Sequence, residues 1–193
     1  MGRLAERLAA LTVSVRSPDG RIEARSMAEN LAEVTFSPGA YERYTEPDLE
    51  HQLARTATLL YVGHDRAVQQ AMEEAGLRRA TEPSRARDDA QRRYLEAARR
   101  ISVIGSGSRE LVSFETAGMA SWQCRIAAGA LQRVPEWEFI AEVTEAARDV
   151  LQRNRLEKGM LKNEFFGTRH PPAVRERGRR LAEQLRAERI TGG

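Results

Sequence analysis

Cysteine is nearly absent: Cys124 is the only one in 193 residues. A single thiol excludes an internal disulfide and any zinc site of the paired-cysteine type. Histidine is scarce too. His51, His64 and His170 lie too far apart in the chain to suggest a metal site. No run of 18 apolar residues occurs, so no membrane-spanning helix is expected. The opening MGRLAERLAALTVSV is too charged and too broken for the apolar core of a secretory signal. These absences predict a cytoplasmic protein with no cofactor and no metal. Catalytic signals are missing as well. There is no nucleophile-elbow sequence. Gly105-Ser106-Gly107-Ser108 lacks the Lys-Ser/Thr ending of a phosphate loop and precedes a strand, so a hairpin turn is expected there. No acid, base and nucleophile converge, so the chain does not read as an enzyme.

What is present is charge, unevenly placed. The net charge is +3, and Lys158 and Lys162 are the only lysines, so arginine carries nearly all the positive charge. Residues 1–76 hold 8 basic and 12 acidic side chains, and residues 101–147 hold 3 and 6. Residues 77–100 hold 8 and 4, and residues 148–193 hold 12 and 6. Two segments are thus positive and two negative. Such asymmetry fits either a polyanion-binding surface or solvated helices in an arginine-rich chain. The hydrophobic share of 41% excludes wholesale disorder.

The apolar periods give the elements. Residues 3–10 form a short helical lead-in. Leu11, Val13 and Val15 then alternate with polar residues at strand spacing. Ser17-Pro18-Asp19-Gly20 is a turn, because Pro presets one φ and Gly accepts a positive one. Residues 21–25 return as a second strand with Ile22 and Ala24 inward. After a turn at 26–30, Ala32, Val34 and Phe36 make a third strand, ended by Pro38-Gly39. Thr45 is placed to cap a helix over 46–75, with Pro47 and Asp48 in its first turn. Leu49, Leu53, Ala57, Leu60, His64 and Val68 give it a buried stripe, and Gly76 a stop. Residues 77–89 have no apolar period and read as a linker. Residues 90–100 are helical again.

The pattern then returns 90 residues later without a gap. Leu11 and Val13 fall on Ile101 and Val103; Ile22 and Ala24 on Val112 and Phe114; Ala32, Val34 and Phe36 on Trp122, Cys124 and Ile126. Gly39-Ala40 falls on Gly129-Ala130, and Leu49, Leu53, Ala57 and Leu60 on Phe139, Val143, Ala147 and Val150. Inward positions keep register through three strands and into a helix, which indicates an internal duplication. The expected class is α+β. Two units, 1–76 and 90–166, each carry a three-stranded antiparallel sheet, a short leading helix and a long following one. The linker is 77–89, and a basic amphipathic helix spans 167–193. One such sheet leaves an open edge and a partly bare face. The two units therefore pair, either within one chain as a pseudo-dimer or between chains as a homodimer.

The short helix, the SPDG hairpin, the third strand LAEVTFSP and the long helix DLEHQLARTATLL resemble the YbaB/EbfC family over residues 1–75, and more weakly over 91–165. The resemblance implies a dimeric bacterial protein that binds duplex DNA with little sequence preference and performs no catalysis. The family includes actinobacterial relatives associated with type VII secretion, which implies the alternative of a non-enzymatic protein-interaction adaptor. The chain departs from the family's single-unit pattern by its repetition and its basic extension.

Binding to phosphates needs Arg or Lys. In and after the linker the candidates are Arg92, Arg93, Arg99 and Arg100, preceded by Arg78, Arg79, Arg85 and Arg87. Toward the C-terminus they are Arg153, Arg155, Lys158, Lys162, Arg169, Arg175, Arg177, Arg179, Arg180, Arg186 and Arg189. Arg175, Arg179, Arg186 and Arg189 fall within one broad helical arc, with Leu181 and Leu185 opposite. Each is equally explained as a solvated face of a docking helix. Trp122, Trp137, Phe165 and Phe166 are available for base stacking. Trp122 reads better as core, and the other three as cover for a helix or a partner. Cys124 aligns with Val34 and reads as a buried small hydrophobe.

Overall fold

The structure, a computed structural model, describes residues 2–27, 30–77 and 80–167. The basic helix expected beyond Gly167 lies outside the described residues, as do Arg78 and Arg79. The chain is α+β, with two three-stranded antiparallel sheets.

Helix α1 (Gly2–Ala9) leads into β1 (Thr12–Arg16), β2 (Ile22–Met27) and β3 (Asn30–Phe36), hydrogen-bonded in that order. The SPDG turn closes as its residues dictate. The Gly20 N–H donates to Ser17 O at 2.8 Å, and Gly20 takes φ +72°. Helix α2 (Glu46–Glu74) starts at Thr45, whose Oγ1 accepts from the Asp48 N–H at 3.3 Å. It stops at Gly76, where Leu77 N–H reaches Met72 O and Gly76 N–H reaches Glu73 O, both at 2.9 Å. That pair of bonds is a Schellman motif, and Gly supplies the left-handed residue it needs.

Helix α3 (Asp89–Ala98) is capped by Asp88, which accepts from the Gln91 N–H at 2.7 Å. Then come β4 (Ser102–Ser106), β5 (Val112–Ala117), β6 (Ser121–Ile126), the single turn α4 (Ala130–Arg133) and α5 (Glu136–Phe166). The 90-residue offset holds in three dimensions. Thr12, Ile22 and Glu46 open elements that Ser102, Val112 and Glu136 open in the second half. Ile22 faces Phe36 as Val112 faces Ile126, and Ala24 faces Val34 as Phe114 faces Cys124. The sheets differ at one place. A bulge between Arg25 and Ser26 shifts the register of β2 on β3, whereas β5 and β6 pair without one.

The two halves pack within the chain. Each long helix lies on its own sheet and also on the third strand of the other, α2 on β6 and α5 on β3. Among the described residues the two sheets do not join edge to edge. One core runs through both halves: the Phe36 ring sits 6.4 Å from that of Phe139, and Tyr41 sits 5.4 Å from it. The entries to the two helices touch. Tyr41 donates its hydroxyl to Val134 O at 3.0 Å, and Glu50 Oε1 accepts from the Ile126 N–H at 2.7 Å. Burial raises the Tyr41 phenol to about 12, with Glu136 and Glu42 adding to it, so the hydroxyl keeps the proton it donates.

Two sequence readings need correction. The α2 stripe is not buried throughout: Leu49 and Leu53 are buried, but Ala57, Leu60, His64 and Val68 are only half-buried. The reason is that the second half's helix covers the other side of the core and leaves a gap beside the later turns of α2. The hairpin at Gly105–Ser108 sits two residues later than expected. Gly105 and Ser106 belong to β4, and the Glu110 N–H closes the turn on Gly107 O at 3.0 Å. Within the 77–89 segment read as a linker, Pro83–Arg85 form a 3-10 turn.

Candidate functional site: a basic end and an open groove

The short helices set up the first feature. Helix α3 packs on α5, with Tyr94 against Phe165 and Phe166 at ring distances of 6.4 and 5.3 Å. Phe165 and Phe166 thus cover a helix. This contact joins two basic segments that are separate in sequence. Arg92, Arg93, Arg99 and Arg100 are exposed on or just past α3, and Arg153, Arg155 and Lys162 are exposed on α5, with Lys158 half-buried. Arg85 and Arg87 are exposed just before α3. Neighbours one turn away hold some of these cations: Arg92 pairs with Asp89 at 3.0 Å, Arg153 with Asp149 at 2.9 Å, and Arg93 Nε donates to Asp89 O at 3.4 Å. Arg155, Lys158 and Lys162 are spaced by three and four residues and share one face of α5, whereas Arg153 lies on another. The remaining candidates, Arg169, Arg175, Arg177, Arg179, Arg180, Arg186 and Arg189, lie outside the described residues.

The same place in the first half has the opposite character. Helix α1 packs on the last turns of α2, and Arg7 pairs with Glu74. Shifted by 90, Lys158 becomes Val68 and Arg155 becomes Asp65.

Acidic residues of the second half have a structural role. Glu142, 3% exposed, receives the turn after β4: its Oε1 accepts from the Arg109 N–H at 3.0 Å and Ser108 Oγ at 3.3 Å, and its Oε2 from the Leu111 N–H at 3.2 Å. Glu145 accepts from the Ser108 N–H at 3.0 Å, and Asp149 from the Ser106 N–H at 3.2 Å. Hydrogen bonds from Ser108 hold the Glu145 carboxyl below its usual range. Gly107 makes this approach possible, because a Cβ there would run into the Glu142 carboxylate. The sequence reading missed Glu142. The signal was its place on the apolar stripe, three residues after Phe139 and one before Val143. In the first half the matching residue is Gln52, whose Oε1 accepts from the Asp19 N–H at 3.3 Å.

The second feature is a groove of about 330 Å³ between α2 and α5, floored by the inner faces of both sheets. Its walls include Leu53, Ala57 and Leu60 from α2 and Val143, Ala147 and Leu151 from α5. Trp122 lines it half-buried and donates its ring N–H to Met119 O at 3.1 Å. Trp122 packs on the core as expected, but Trp137 is 70% exposed at the start of α5. Cys124 is buried as expected. Burial, helped by Glu50, pushes its thiol up, which keeps it protonated and inert.

Among the described residues, no group of His, Cys, Asp or Glu is placed to hold a metal ion. No helix among them is long and apolar enough to cross a membrane. No family model, no curated protein and no solved structure matches this chain.

Proposed function

We propose that the protein is a nucleoid-associated-like factor that binds duplex DNA without reading its sequence, through contacts from arginine and lysine to phosphate. The observation that carries this reading is the packing of α3 on α5. It brings the described cations of residues 80–100 beside those of the later turns of α5, joining parts of the two positive segments. Phosphate contacts need clustered cations but no particular base-reading element, and they confer no sequence preference. The order and spacing of the elements, which resemble the YbaB/EbfC family, support the same reading. It involves no catalysis, and it places the protein in the cytoplasm, on the nucleoid.

Anisotropy of a labelled random duplex, titrated with the full chain across a salt series, tests the proposal. Log affinity should fall linearly with log salt, by a slope of roughly 0.9 for each phosphate neutralised. Deleting residues 168–193 should make that slope shallower. Absence of binding at low salt would overturn it. A second reading, a non-enzymatic adaptor in a secretion system, draws on Trp137: a large aromatic left 70% exposed is the residue type that anchors protein interfaces.

A further inference from the structure

The groove between α2 and α5 contains two polar atoms that its apolar walls do not explain. Ser26 and Asn154 are each 5% exposed, and both line it. Ser26 Oγ and Asn154 Oδ1 are buried without a hydrogen-bond partner. Leaving such an atom unpaired in a buried site is unfavourable, so a partner is expected. The pattern is the one expected of a small-molecule pocket, in which apolar walls supply affinity and a few polar atoms orient the ligand.

The chemistry of these atoms selects the ligand. Asn154 Oδ1 only accepts, so its partner must donate. A carboxylate has no proton to donate and meets the Asn154 oxygen as acceptor against acceptor; it would have to turn to Arg155 or Lys158, which also line the groove, and leave Asn154 Oδ1 unpaired. The size of the groove selects further. A cavity of about 150 Å³ takes a benzene. One of about 330 Å³ therefore takes roughly twice that, on the order of a dozen non-hydrogen atoms. That is too small for a peptide helix, which is about 10 Å across.

We propose that this groove is a binding site for a small, uncharged apolar molecule bearing a hydroxyl group, with the hydroxyl donated to Asn154 Oδ1. The apolar body lies along Leu53, Ala57, Leu60, Val143 and Ala147 and against the face of Trp122. The bulge at Arg25/Ser26 belongs to this site: it interrupts the register of β2 at the residue whose Oγ lines the groove. The second half, with no bulge, carries Thr116 at the matching position, and that hydroxyl is satisfied by Ser121 O at 2.7 Å. The site makes no use of α3 or of residues 168–193, but it shares Arg155 and Lys158 of α5 with the basic residues offered for phosphate contact.

The test uses the full chain with Trp137→Phe, which leaves Trp122 as the one tryptophan. The probes are 1-decanol and its methyl ether, which share an apolar chain but differ in the donor. Trp122 emission should change saturably with 1-decanol, and the ether should bind roughly 10-fold more weakly. Asn154→Leu should remove that difference, and Ala57→Leu should weaken both probes by filling the groove. The alcohol–ether comparison in the Trp137→Phe protein stands even if a groove variant fails to fold. No saturable response to 1-decanol would overturn the proposal. Equal binding of alcohol and ether would overturn it too, as would unchanged binding in a folded Ala57→Leu protein.

Discussion

The two halves follow the same trace with their close contacts in different places. In the second half, glycines lie in β4 and just after it. A Cβ on Gly105 would strike the backbone of α5, at Val150 N and, at 2.8 Å, Ala146 O. Strand and helix therefore pack backbone to backbone, and α5 buries Phe139, Glu142, Val143, Ala146, Val150 and Asn154. In the first half the matching strand residue is Val15, and the glycine, Gly63, is on the helix, where a Cβ would crowd a side chain rather than backbone, Val13 Cγ1 at 3.0 Å, and touch Val15 Cγ1 at 4.0 Å. Helix α2 buries Leu49, Leu53 and Thr56 near its start and Ala71 near its end, and between them it stays half-open. The comparison teaches that a duplicated scaffold can tighten one copy against its sheet while the other copy keeps a groove.

That contrast can be broken by substitution. Gly105→Ala should be the most damaging change, about 3 kcal/mol or more, because backbone cannot yield as a side chain does. Gly63→Ala should move stability by no more than about 1 kcal/mol, since the gain in helix propensity offsets a small shift of Val13. Denaturant melts of both variants give the difference directly.

The turn contacts should show a similar imbalance. Glu142→Leu strands the Arg109 and Leu111 amides and should cost roughly 2–3 kcal/mol. Gln52→Leu loses one exposed bond at 3.3 Å and should cost about 0.5 kcal/mol or less by the same measurement.

The smallest effect is one of pH. Burial works to raise the Asp19 carboxyl, but bonds from the Ser17 and Tyr44 hydroxyls and the Arg21 N–H outweigh it and hold the group below its usual value. A depressed carboxyl stabilises the fold above the unfolded value of about 3.9, and that contribution is lost as pH falls through the folded value. Asp19→Asn should therefore be less stable than the parent at pH 6, with the gap closing below about pH 4. Thermal melts at pH 6 and pH 3 check this. A gap that widened in acid would contradict it.

Much of this fold was legible in the sequence. The offset of 90 was carried by inward apolar positions that few identities would reveal. Thr45 and Gly76 marked the ends of α2 through the backbone bonds a helix leaves unmade. The groove was not legible, because periodicity shows which side chains share a face and not what covers that face. Val68 and Leu53 look alike in the pattern, yet only Leu53 is fully covered. Glu142 and Asn154 were hidden for a related reason. A polar residue on an apolar stripe reads as an interruption until the turn or cavity facing it is known. The basic end was half-legible: the segments were visible, but their meeting depends on Tyr94 reaching Phe166.

The central claim is that the second half alone carries the phosphate-binding end. The most direct measurement compares two triple variants of the full chain in the duplex anisotropy salt series. One is Arg93→Gln, Arg99→Gln and Arg100→Gln; the other is Arg43→Gln, Arg55→Gln and Arg66→Gln, three exposed arginines of the first half. The account predicts that the first set lowers the salt slope by about 2–3 and weakens binding, while the second set leaves the slope as it was. Equal losses from the two sets, or none from the first, would contradict it.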